Sequence, residues 1–164
     1  MDLSGSWGYL QDVAIRRLAN NKTSRHVDKY GPEIETLGAA GEMAARRFLG
    51  LREKLHDTFD NGTDLTWQGY AVDVKALSLT YHAKYKFLQW PEWKPVKADI
   101  VLLAGVNMDD MSATVIGYAT RAEVQAAPVN SKRFIPCHEI PITELRPAWW
   151  MLVPGFRIYS ASST

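Results

Sequence analysis

The sequence predicts an α/β fold, a β-sheet with helices beside it, and three observations predict it. Residues 64–79 alternate in side-chain character with a period of two, as a strand does. Ala98 to Gly105 is apolar almost throughout, which reads as a buried central strand. Residues 32–51 carry apolar and small residues at helical spacing. At 164 residues the chain is long enough for one domain with a real core. Its 46% apolar and 23% charged content excludes global disorder. No apolar run reaches the length of a membrane span, and Met1 to Ser6 lacks the basic-then-apolar layout of a signal peptide. A lone Cys137 excludes an internal disulfide and fits a reducing compartment, so the expected location is cytoplasmic.

The elements follow in order. Tyr9 to about Ala19 has helical spacing, with Leu10, Val13, Ile15 and Leu18 as its apolar positions. Arg16 and Arg17, with Lys22, Arg25 and Lys29 in the polar stretch from Asn20 to Lys29, make a basic N-terminal arm over residues 1–31. Such an arm either contacts phosphates or forms a solvated face. Pro32 suits the first position of a second helix that runs to about Leu51. Ile34, Leu37, Gly38, Gly41, Ala45 and Phe48 line one face of it, and Glu35 and Glu42 flank that stripe.

A β-hairpin is expected from about Asp64 to Leu79, turning at Gln68-Gly69. Tyr81 to Pro95 has no clean period and reads as an inserted loop, with Lys84, Lys86 and Lys94 interleaved among Tyr81, Tyr85, Phe87, Trp90 and Trp93. After the Ala98–Gly105 strand come an acidic turn (107–112) and a second strand, Ala113 to Ala119. Thr120 and Glu123 match a capping box for a short helix that stops at Pro128. Phe134 to His138 reads as a further strand. The tail from Pro141, with Trp149, Trp150, Leu152 and Phe156, is expected to pack on the body.

The chemistry gathers on the hairpin. Asp73 and Lys75 are two apart and share a face, while Tyr70, Val72, Val74 and Ala76 point the other way. The turn brings Asp64 beside Asp73. Two carboxylates, with the Val74 carbonyl as a third oxygen, suit Mg²⁺, which keeps several waters and takes few protein ligands. Lys75 can orient the attacking water or stabilise charge building on a phosphate, and Glu42 can bind a second metal or a metal-bound water. Asp60 competes with Asp64 for the first acid, and Glu35 with Glu42 for the helix acid. The plainer alternative is an exposed Asp73–Lys75 strand pair contributing under ~1 kcal/mol. In the loop, Lys84, Lys86, Trp90 and Trp93 suit backbone tracking and base stacking, or else a small aromatic core with solvating lysines. Lys97 is a further candidate phosphate contact. The four histidines lack metal-ligand spacing, and neither a Walker loop nor a dinucleotide fingerprint is present.

This pattern resembles the PD-(D/E)XK nuclease superfamily. The resemblance rests on Glu42 in Gly-Glu-Met-Ala-Ala-Arg-Arg, Asp64 in Asn-Gly-Thr-Asp-Leu, and Asp73 and Lys75 in Val-Asp-Val-Lys-Ala. It implies a restriction-endonuclease-like αβββαβ core with a central mixed sheet flanked by helices, spanning about residues 32–140 of a single nuclease-like domain. It implies Asp64 and Asp73 as metal ligands, Lys75 as the catalytic lysine and Glu42 as the helix acid. Thr63 stands where many members have proline. The implied activity is Mg²⁺-dependent hydrolysis of DNA phosphodiesters, with Mn²⁺ as a substitute. The implied partner is DNA, whether single-stranded, branched or duplex, with no membrane, and such enzymes often assemble as homo-oligomers. The competing expectations are a non-catalytic nucleic-acid-binding module on the same scaffold and, further off, an assembly protein whose hairpin charges are incidental.

Overall fold

The computed structural model describes residues 1–20, 31–56, 62–80 and 86–158. The elements in chain order are α1 (Trp7–Asn20), α2 (Gly31–Phe48), β1 (Leu65–Trp67), β2 (Tyr70–Ser78), β3 (Phe87–Pro91), β4 (Ile100–Asn107), β5 (Ser112–Thr120), α3 (Arg121–Ala126), β6 (Val129–Asn130), β7 (Cys137–Pro141) and β8 (Arg146–Pro147). The fold is mixed α/β. A five-stranded sheet in the order β1-β2-β4-β5-β8 forms its centre. The β2–β4 pair is parallel and the other pairs are antiparallel, so the sheet is mixed.

Strand β4 is buried along nearly its whole length, as its unbroken apolar run predicts. Helix α2 lies on one face of the sheet, against Val72, Val74, Leu102 and Ala104. Its small residues let the backbones come close: a Cβ built on Gly41 would stand 2.9 Å from the Ala76 Cβ. Helix α1 covers the outer side of α2, where Leu10 and Val13 meet Ala40, Met43 and Ala44. Helix α2 is therefore buried on two sides. This is why Met43 and Ala40 are inside while Ile34, expected on the core stripe, is exposed. In α1 the buried line is Leu10, Val13, Ala14 and Arg17, and Ile15 faces out. The capping box at Thr120 is present in full, with both reciprocal bonds made.

Two features depart from the sequence expectation. Residues 87–91, expected within an irregular loop, form β3, which pairs with β7 and through it with β6 in a second sheet. That sheet covers the face of the central sheet opposite α2, joining Leu88, Trp90 and Ile140 to Val101, Leu103 and Ala119 in one cluster. The hairpin's polar face is therefore roofed. In the tail, Met151 and Ala148 are the buried anchors, while Trp149, Trp150 and Leu152 are exposed. Phe156 packs its ring on Trp67, Tyr70 and Tyr118 at centroid distances of 5.4, 5.9 and 5.8 Å. Among the described residues no helix is long and apolar enough to cross a membrane.

The α2–β2 contact has no room for a branched side chain. Gly41→Val should lower stability by about 1–3 kcal/mol, read as a reduced urea midpoint with an unchanged m-value.

Candidate active site

The site starts from a two-residue turn. Gln68 and Gly69 both have positive φ, 48° and 85°, the twist that joins antiparallel strands directly. This sets Leu65 opposite Val72, Thr66 opposite Ala71 and Trp67 opposite Tyr70. Asp64 stands immediately before the first paired residue, at the mouth of the hairpin. The Asp64 N–H donates to the Val72 carbonyl at 2.9 Å, and the Val74 N–H donates to Asp64 Oδ2 at 2.6 Å. The N–H and C=O of one residue in an extended strand leave from the same edge, so the Val74 carbonyl is directed to the Asp64 side. From α2, Arg46 Nη2 donates to the Asp64 carbonyl at 3.1 Å and holds the start of the hairpin.

Asp73 is 3% exposed. The Lys75 ammonium donates to both of its carboxylate oxygens and lies 4.5 Å from the centre of the Trp90 ring. Glu42 is buried, and both of its oxygens accept from the Arg17 guanidinium, at 2.6 and 2.7 Å. Arg17 also donates from Nε to the His56 carbonyl at 2.9 Å. Burial opposes the Arg17 charge, but the hydrogen bonds and charge of Glu42 outweigh it and raise its pKa.

Asp64 retains some contact with water, yet it is packed closely enough for desolvation to dominate its titration. Burial pushes its carboxyl up to about 7, and the charges of Asp73 and then Glu42 add to the push. The Val74 amide and the Lys75 ammonium act in the opposite direction. The three acids thus act at one locus, and two of them carry internal cationic partners. Among the described residues Asp64 has no ion-pair partner, and its carboxyl keeps its proton to higher pH than usual.

Among the described residues no group of three or more His, Cys, Asp and Glu side chains is arranged to hold a metal ion. Glu42, expected as a metal ligand, has both oxygens engaged by Arg17. Asp73 likewise has both oxygens engaged by Lys75, which leaves Asp64 as the one of the three acids without an ion pair among the described residues.

The expected nucleic-acid contacts divide. Arg17 is buried against Glu42 and is no phosphate contact, because the helical period turns it inward with Leu10, Val13 and Ala14. Trp90 is 1% exposed and has no face free for a base, because β3 inserts it between the sheets. Trp93 is 73% exposed, and Arg16 and Lys86 are exposed. Lys84 and Arg25, like the rival acid Asp60, lie outside the described residues.

Lys94 is the residue that the sequence reading left among the loop lysines without a role. Its ammonium lies 5.0 Å from the Trp90 ring centre. Burial lowers its pKa, Lys75 adds to this, and Asp73 and Asp64 pull against it. The signal for it was the turn Pro91-Glu92-Trp93-Lys94, closed by Lys94 N–H to the Pro91 carbonyl at 3.0 Å. A cavity of about 370 Å³ beside α3 and β7 and one of about 540 Å³ beside β6 and β7 include none of the three acids.

No family model matches the chain, and neither a curated protein nor a solved structure is significantly similar to it.

Two outcomes follow from these electrostatics. Arg17→Met leaves Glu42 buried without its partner and should cost about 3–5 kcal/mol, while Arg17→Met with Glu42→Leu recovers most of the loss, as measured by chemical denaturation. For Asp64, the folded value of about 7 lies above the ordinary 3.8. Between those limits the folded protein binds more protons than the unfolded chain, so this group lowers stability as pH rises through the window. In chelator, Asp64→Asn should therefore gain stability relative to wild type between about pH 4 and pH 8, and a flat difference would contradict this.

Proposed function

We propose that the protein is a Mg²⁺-dependent nuclease hydrolysing DNA phosphodiester bonds at the Asp64, Asp73 and Lys75 cluster, with Mn²⁺ able to substitute. The observation that carries the reading is the Asp64 carboxyl. Burial and two neighbouring carboxylates push it up to about 7, and a divalent cation at this point would relieve that repulsion. Asp64, Asp73 and the Val74 carbonyl would hold the ion. When bound, it supplies a Lewis acid for the phosphate and a water of lowered pKa.

The chain's own groups do the rest. Asp64 would lose its proton to solvent in order to hold the ion. Lys75, beside Asp73, stabilises the charge that builds on the phosphate oxygens or orients the attacking water. Arg17 holds the Glu42 carboxylate in one orientation, so that its charge stays beside Asp64. The roof over Asp73 lowers the local dielectric and strengthens each of these interactions. A cytoplasmic location, in keeping with the unpaired Cys137, belongs to the same reading.

A second reading, a non-catalytic nucleic-acid-binding module, draws on one observation. Asp73 and Glu42 are already paired with Lys75 and Arg17, a balance that a binding scaffold also needs. Labelled single-stranded, duplex and branched DNA incubated with Mg²⁺ or Mn²⁺ decides between them. Asp73→Ala and Lys75→Ala should each reduce cleavage by about 10²–10³-fold. Full activity in both variants removes the cluster from the chemistry. DNA binding with no calorimetric uptake of Mg²⁺ favours the binder.

A further inference from the structure

Lys75 is bonded to both oxygens of Asp73. Within the nuclease reading its charge is shared between Asp73 and the phosphate, so a second cation has a place there, and one side chain is built for it. Two ammonium groups approach the Trp90 ring, with Lys75 Nζ 4.5 Å and Lys94 Nζ 5.0 Å from its centre. Its indole N–H also donates to the Lys94 carbonyl at 2.6 Å. One buried ring thus fixes both the backbone and the charge of Lys94. Among the described residues no carboxylate lies within ion-pair range of that ammonium. A half-buried ammonium held on a rigid ring without a carboxylate is costly for the fold, and it suits an anion that arrives from outside.

Lys97 continues the line. Its stem packs on Gly62, with Cδ 3.4 Å from where a Cβ would stand, at a residue whose φ of +100° favours glycine. Gly62 is two residues before Asp64, so this packing ties Lys97 to the approach to the acids. Lys97 is exposed and close enough to act on the charge of Lys94. On the turn between them and β3, Trp93 presents a ring that is 73% exposed. A cationic line beside an exposed ring matches the two needs of an unpaired strand, backbone neutralisation and base stacking.

We propose that Lys94 grips the phosphate next to the Asp64–Asp73 pair, that Lys97 takes the neighbouring phosphate, and that Trp93 stacks on an unpaired base, which makes single-stranded DNA the substrate. The proposal rests on the nuclease reading for the word substrate, and on Trp90, Lys94, Lys97 and Trp93 for the strand contacts.

The test uses a fluorescent single-stranded oligonucleotide and the same sequence as a duplex, with the full chain. Anisotropy is read in chelator across a salt series, and cleavage is read in Mg²⁺. Lys94→Gln should lower kcat/KM on the single strand by about 10–100-fold and leave calorimetric Mg²⁺ affinity unchanged, with Lys94→Arg restoring most of the activity. Lys97→Gln should reduce the salt slope of binding by about 0.7. Trp93→Ala should weaken single-strand binding about tenfold and duplex binding little. Wild-type salt slope and kcat/KM in Lys94→Gln overturn the Lys94 assignment and leave the nuclease reading intact. Tighter binding to duplex, unaffected by Trp93→Ala, overturns the single-strand assignment. Binding that depends on Lys94 without cleavage in either metal upholds the contact and removes the nuclease. Absence of both binding and cleavage in wild type removes both.

Discussion

The register of the β1–β2 hairpin is the constraint on which the rest depends. A strand slipped by one residue turns every side chain to the opposite face. In this chain that would send Asp73 and Lys75 into the Ala-rich contact with α2 and turn Val72 and Val74 away from it. The slip is resisted at both ends. The turn at Gln68 and Gly69 allows no extra residue, and the Val74 amide closes on the Asp64 carboxylate. The close α2–β2 contact at Gly41 and Ala76 leaves no space for a charged side chain. Function and packing therefore constrain the same two strands.

The electrostatics explain how three acids coexist at one buried locus. Two are neutralised from within, Glu42 by an arginine one helix away and Asp73 by the lysine two residues along its own strand. The third responds by raising its pKa. Such an arrangement is stable only because each partner comes from an element that the core already fixes. Arg17 sits on the buried line of α1 with Leu10, Val13 and Ala14, and Lys75 rests on a tryptophan clamped between two sheets. The acids are held by hydrophobic packing as much as by charge.

Much of this was legible in the residues, and the exceptions share a cause. The hairpin, the central strand and the capped helix carry local signals: a period of two with a Gln-Gly turn, an unbroken apolar run, and Thr120 with Glu123. The turn accounts for Asp64 coming near enough to Asp73 to feel its charge. Strand β3 was hidden because its partner β7 lies about fifty residues away, and five residues of mixed aromatic and polar character give no period of their own. With β3 unseen, Trp90 stayed open between a stacking platform and a small aromatic core, and Lys94 had no ring to rest on. Arg17 was read as surface by its charge, although the spacing from Leu10 and Val13 already placed it inward. Charge type outweighed helical phase in that reading, and phase was the better guide.

The Phe156 ring closes over the outer side of the hairpin, touching Trp67, Tyr70 and Tyr118. A growing chain makes the acid-bearing hairpin long before it makes this lid. Until the segment around Phe156 has left the ribosome, this aromatic surface of the hairpin stays wet, and its strands are held by their turn, by α2 and by β4. A nascent chain thus carries the acids before it carries the aromatic packing on the opposite face of the same strands.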